Sequence, residues 1–108
     1  MNRNIIRLLT TATLLSLAGA AHASSDMAWQ QFAADVEAKC RKAAVTIEQP
    51  VVTVDPFGTS HYGLALLTGK PKGAKGLVTQ ICVYDKQKKI VEIGSELDGK
   101  KLGLTPVK

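Results

Sequence analysis

The residues best equipped for chemistry lie close together: Asp55, Ser60 and His61, in the stretch DPFGTSHYGLALLTGK from Asp55 to Lys70. A serine, a histidine and an aspartate are the parts of a nucleophilic hydrolase, in which imidazole takes the serine proton and the carboxylate orients the ring. The spacing argues against that use. Neighbours on a strand point to opposite faces, so Ser60 and His61 do not readily meet, and no G-x-S-x-G elbow presents a serine. The segment LLTGKPKGAKG places Gly-Lys after an apolar run, as a phosphate loop does. However, Gly63 and Gly69 enclose five residues instead of four, and Pro71 follows Lys70 where Ser or Thr is required. Lys70, Lys72 and Lys75, with the loop's glycine amides, still suit a weaker grip on an anion.

Other chemistries find less support. Glu92, Glu96 and Asp98 are close in sequence but lack the spacing of a calcium loop. Two carboxylates can hydrolyse a glycoside, yet a chain this small leaves little room for a deep cleft. Tyr62 and Tyr84 are the only tyrosines, too few to interleave with the cations as a nucleic-acid surface requires. No cofactor motif or metal-ligand set stands out, so neither group is expected.

Cys40 and Cys82 are the only cysteines. A redox pair usually sits as C-x-x-C, and structural zinc wants more Cys and His than this chain has. The N-terminus gives the pair its context. MNRNIIR carries Arg3 and Arg7 and no acid, Leu8 to Ala21 is mostly apolar, and Ala21-His22-Ala23 is followed by Ser24-Ser25-Asp26. That is the three-part layout of a secretory signal peptide. The apolar run falls short of the roughly 20 residues of a spanning helix; a retained anchor is the alternative reading. Residues 1–23 are therefore expected to be removed, leaving residues 24–108 as one small domain, periplasmic or secreted. A eukaryotic secretory signal would look alike. No later segment is long and apolar enough to span. In an oxidising compartment two cysteines read as a disulfide. Closing its loop would contribute about 4 kcal/mol in the chain-entropy model. Loss of Arg3 and Arg7 lowers the formal charge from +5 to +3, first of all a solubility property.

Several elements must hold these residues in place. MAWQQFAADVEAKCRKAA sets Trp29, Ala33, Val36, Cys40 and Ala43 at helical spacing, with Phe32 alongside and Lys39, Arg41 and Lys42 near the negative end of the dipole. The pattern predicts a helix over about 26–43. VTIEQPVVTV predicts a strand over about 45–54, with a bulge or break at Pro50, which cannot donate to a ladder. Asp55-Pro56-Phe57-Gly58 has turn chemistry. HYGLALLT predicts a strand over 61–68. Tyr62, Leu64 and Leu66 share one face; His61, Gly63, Ala65 and Leu67 share the other. Gly63 suggests a bulge or a close neighbour, such as an aromatic ring across the sheet. GKPKGAKG is a basic loop, LVTQICVYD (77–85) the strongest strand, DKQKK a turn and IVEIG (90–94) the returning strand. The glycine-rich tail frames a short last strand or hangs loose. The fold class is α+β: an N-terminal helix packed on a small antiparallel sheet of three to five strands, stapled by Cys40–Cys82.

VEAKC, DPFGTSHYGLALLTG and ICVYDK, spread over most of residues 26–95, give the chain a further likeness: it resembles small, poorly characterised exported proteins of Gram-negative bacteria. That resemblance implies export to the periplasm and no particular activity. At the level of fold class, the chain is also similar to small disulfide-stapled periplasmic lysozyme inhibitors, without their inhibitory motif.

The expectation is thus a non-enzymatic exported protein that binds a macromolecular partner, either another protein or an anionic envelope component. Phe57, His61 and Tyr62 would supply directional contacts, and Lys70, Lys72 and Lys75 steering charge. In a simple meander these two groups lie at opposite sheet ends, so one interface would need a bent sheet. The alternatives are a small hydrolase-like enzyme using His61 and a carboxylate, and an envelope structural or stress factor that self-associates through a sheet edge.

Overall fold

The computed structural model describes residues 25–104. The expected signal peptide and the last four residues lie outside that range. The chain divides into two compact units, residues 1–31 and 32–108. The first holds the opening turns of helix α1 (residues 25–43), which are exposed from residue 25 to 31. The second holds the rest of α1 and all of the sheet.

Within the second unit, Val36 and Cys40 on α1, and Ala44 just past its end, fall one turn apart and are all buried. This is the stripe that a 3.6-residue period places on one face. Lys39 and Arg41 stand outside the stripe and pair with Asp35 and Glu37 one turn back. Arg41 also reaches beyond the helix and donates to the Pro50 carbonyl at 2.8 Å.

Five strands follow: β1 (Ile47–Val54), β2 (Tyr62–Pro71), β3 (Val78–Asp85), β4 (Val91–Ile93) and β5 (Leu97–Asp98). They form one antiparallel meander in the order β1-β2-β3-β4, with β5 also pairing with β3. The boundaries differ from the sequence pattern by one to three residues. β2 runs on to Pro71, because Ile47 and Glu48 pair with Pro71 and Lys70. The expected irregularity at Pro50 is a bulge between Glu48 and Val51. Gln49 there takes a positive φ of 42°, and Pro50, lacking an N–H, sits in an edge strand where no ladder bond is lost.

The helix covers one face of the sheet. Ile47, Ala65, Leu67, Cys82 and Tyr84 join Val36, Cys40 and Ala44 in a single core, with Phe32, Val52, Val54, Val91 and Ile93 packed around it. Cys40 and Cys82 are bonded across this layer, with Cα atoms 5.8 Å apart. At Gly63 side chains of the helix press against the strand. A Cβ there would lie 2.9 Å from the Phe32 ring and 2.8 Å from Val36, with the Tyr84 Cβ across the sheet at 3.2 Å, so the aromatic ring nearest Gly63 is on the helix and not across the sheet as expected. Phe32 meets Tyr84 edge-on at 5.7 Å. Trp29, which its spacing sets on the same stripe as Val36 and Cys40, is 42% exposed; it stands in the exposed opening turns.

Candidate functional site: the uncovered face of the sheet

Two turns side by side close one end of the sheet, and both use the same chemistry. Asp55 Oδ1 accepts the amides of Phe57 and Gly58, and Asp85 Oδ1 accepts those of Gln87 and Lys88. These amide bonds hold both carboxyls below the usual carboxylate range. Lys86 ties the turns together: its amide donates to the His61 carbonyl, and its ammonium to the carbonyls of Phe57 and Thr59. His61 and Ser60 precede β2 instead of lying on it, since the strand opens at Tyr62.

Ser60, His61, Tyr62, Asp85, Lys86 and Gln87 line a shallow hollow of 530 Å³ at this end. Of its side chains, Asp85 and Lys86 are engaged in holding the turns. Asp55, the carboxylate that a Ser-His-Asp arrangement would need, is turned toward its own loop. Among the described residues no hydrogen bond links the side chain of Ser60 or His61 to a carboxylate. A general base works best with a pKa near the operating pH, and both aspartates here are shifted the other way.

The residues expected to make contacts are distributed as a meander dictates. Phe57, His61 and Tyr62 lie at the turn end, and Lys70, Lys72 and Lys75 lie at the far end. There Lys72 and Lys75 share a surface with Glu96, Asp98 and Lys100. Tyr62 and Lys70 nevertheless have something in common. They are the first and last outward-facing residues of β2, eight positions apart, or about 26 Å along a strand.

The surface between them is the side of the sheet that α1 leaves bare. β2 presents Tyr62, Leu64, Leu66, Thr68 and Lys70 there. The register sets Thr53 and Ile81 beside Leu66, Val83 beside Leu64, and Val51 and Thr79 beside Thr68. An antiparallel sheet covered on one side usually alternates apolar residues inward and polar residues outward. This one is apolar on both sides. Tyr62 is 45% exposed, Leu66 47%, Ile81 42% and Val51 68%. Thr53, Leu64, Leu66 and Ile81, with Asp55 at the margin, line a 320 Å³ hollow on this face. Toward the Lys70 end Thr68 and Thr79 share a hydrogen bond of 2.9 Å between hydroxyls, and Thr79 there is buried.

Val51, Leu64, Leu66, Ile81 and Val83 were not among the expected contact residues. Their signal was present in LALL and ICV, which are apolar at both parities of a two-residue period. Such strands are normally buried on both faces, and a chain with one helix can cover only one.

No protein-family model matches this chain, and no curated protein or solved structure matches it either. Among the described residues no helix is long and apolar enough to cross a membrane, and no group of three or more His, Cys, Asp or Glu is placed to hold a metal ion.

Proposed function

We propose that this chain is a non-enzymatic exported protein, periplasmic in a Gram-negative cell, that binds a protein partner on the bare face of its sheet. The observation that carries the reading is the exposure of Leu66 and Ile81 at the centre of that face, where solvent alone would favour polar residues. Contiguous exposed apolar surface on a small protein marks an interaction site. The buried Cys40–Cys82 bridge supports an oxidising compartment, in keeping with the leader expected at residues 1–23. Tyr62 at one end and Lys70 at the other would frame the interface, so that residues from both expected contact groups serve it without a bent sheet.

The test is capture from an envelope extract by wild-type protein, Leu66→Glu and His61→Ala, each at low and high salt. Leu66→Glu should lose the captured partner and His61→Ala should keep it, with little salt dependence because the contact is apolar. Equal capture by Leu66→Glu and wild type would remove the bare face as the contact surface. Turnover of a substrate that disappears with His61→Ala would restore the hydrolase alternative.

A further inference from the structure

The two edges of the sheet are guarded unequally. An edge strand offers unpaired N–H and C=O groups, and proteins blunt it with short strands, charge, proline or bulges. On one side β4 and β5 have only three and two residues. On the other, the first half of β1 carries Glu48, the bulge between Glu48 and Val51, and Pro50, whose carbonyl Arg41 takes at 2.8 Å. The second half, Val51-Val52-Thr53-Val54, has none of these devices and consists of β-branched residues that suit a sheet. β1 pairs with β2 alone, and the ladder fixes which of its groups are free. The Asp55 amide donates to the Leu64 carbonyl at 2.9 Å. By the alternation of an antiparallel pair, Thr53 and Val51 then bond to Leu66 and Thr68, and the N–H and C=O of Val52 and Val54 point away from β2. Among the described residues nothing bonds to these outward groups.

We infer that this half of the β1 edge pairs with the same half-edge of a second copy, antiparallel and centred on Thr53. The segment is its own complement. With Thr53 opposite Thr53 of the second copy, Val52 meets Val54 and Val54 meets Val52, so every outward N–H finds a C=O. The prolines select this register and this occupant. Pro50 and Pro56 lie three residues to either side of Thr53, so each falls opposite the other copy's other proline. A shift of two residues sets a proline, which cannot donate, against Val52 or Val54 and leaves a carbonyl without its donor. A foreign strand with ordinary residues at those places loses bonds in the same way. The two-fold axis stands perpendicular to the sheet. Both helices therefore lie on one side and both bare faces on the other, with Thr53 meeting Thr53 at about 4.5 Å between Cα atoms. Such a contact is isologous and closes at two copies. The strip is small beside the roughly 800 Å² per partner of a stable interface, so the dimer is reversible. The inference does not depend on what the bare face binds.

The experiment is sedimentation of the purified protein over about 1 µM to 1 mM at low salt. It compares the wild type with Thr53→Lys, Thr53→Glu, their equimolar mixture and Leu66→Glu, with circular dichroism confirming that each variant is folded. Thr53 is an exposed residue, so either charge is compatible with the fold. The wild type should pass from monomer to dimer. Thr53→Lys and Thr53→Glu each set like charges against one another across the axis and should weaken the dimer about tenfold or more. Their mixture sets lysine against glutamate and should restore a mixed dimer. Leu66→Glu, on the bare face, should dimerise as the wild type does. A wild type that stays monomeric throughout overturns the inference; an edge reserved for a strand of another protein would behave in this way. A dimer that ignores both charges, or that the mixture fails to restore, removes the Thr53-centred edge as the contact. A dimer lost in Leu66→Glu overturns the inference in favour of pairing through the bare face.

Discussion

Tyr84 donates its hydroxyl to Asp35 across the helix–sheet seam, and the same carboxylate pairs with Lys39. The bond from Tyr84, helped by Lys39, holds the Asp35 carboxyl below its ordinary value of 3.8. Burial, then the neighbouring carboxylate, pushes the Tyr84 hydroxyl up to about 12. The signs follow from linkage. The Asp35 contribution is complete above about pH 4 and is lost as pH falls through its lowered folded value. The Tyr84 contribution is complete below about pH 10 and is lost as pH rises toward 12. Tyr84→Phe should therefore cost about 1 kcal/mol near neutral pH and flatten both limbs of a stability-against-pH curve from denaturant melts. Limbs as steep as the wild type's would show that the pair is not coupled to folding. Gly63 is the other sensitive position at this scale. Gly63→Ala puts a methyl group against Val36 and Phe32 and should cost about 1–3 kcal/mol, read as a lower melting temperature. The close approach at Gly63 was legible in the sequence, because a glycine inside a strand asks for a neighbour. The Tyr84–Asp35 bond was not, because 49 residues separate the partners and no local period links them.

At the scale of elements, α1 and the meander each carry a legible period, so their order and type follow from the sequence. β4 and β5 have three and two residues, too few for a two-residue period to declare their ends. The bulge at Glu48–Val51 was announced by Pro50; its contact with Arg41 was not, since a guanidinium can reach in many directions. The disulfide joins the two elements that would otherwise separate most readily, a short helix and a sheet with one layer of cover. Cys40→Ala with Cys82→Ala should cost about 4 kcal/mol, a large share of the 5–15 kcal/mol that typically holds a domain together. Denaturant melts of that double variant should show a midpoint shifted far down. A midpoint within error of the wild type would mean that packing alone holds α1 in place. The expected contact residues divide here too. Phe57 lies in the expected turn, whereas His61, expected to open the strand, lies just before it; in that turn Asp55 is held by its own amides and the Phe57 and Thr59 carbonyls by Lys86.

For the whole molecule, the decisive property is that one helix covers one face of a sheet whose strands are apolar on both. The sequence displays the doubled apolar parity; only the register across β1, β2 and β3 shows that Leu64, Leu66, Ile81 and Val83 form one surface. Making the face polar should raise solubility without loss of stability. Leu66→Thr with Ile81→Thr is expected to keep the wild-type melting temperature within a few degrees, because threonine suits an exposed strand. A collapse in stability would mean that these side chains belong to the protein's own core. The most direct measurement is photo-cross-linking in the exporting cell, with a photoreactive residue at position 66 and, as control, at position 42 on the helix. The account predicts a discrete heterologous adduct from position 66 and none from position 42. No adduct at 66, or the same adduct from both positions, would contradict it.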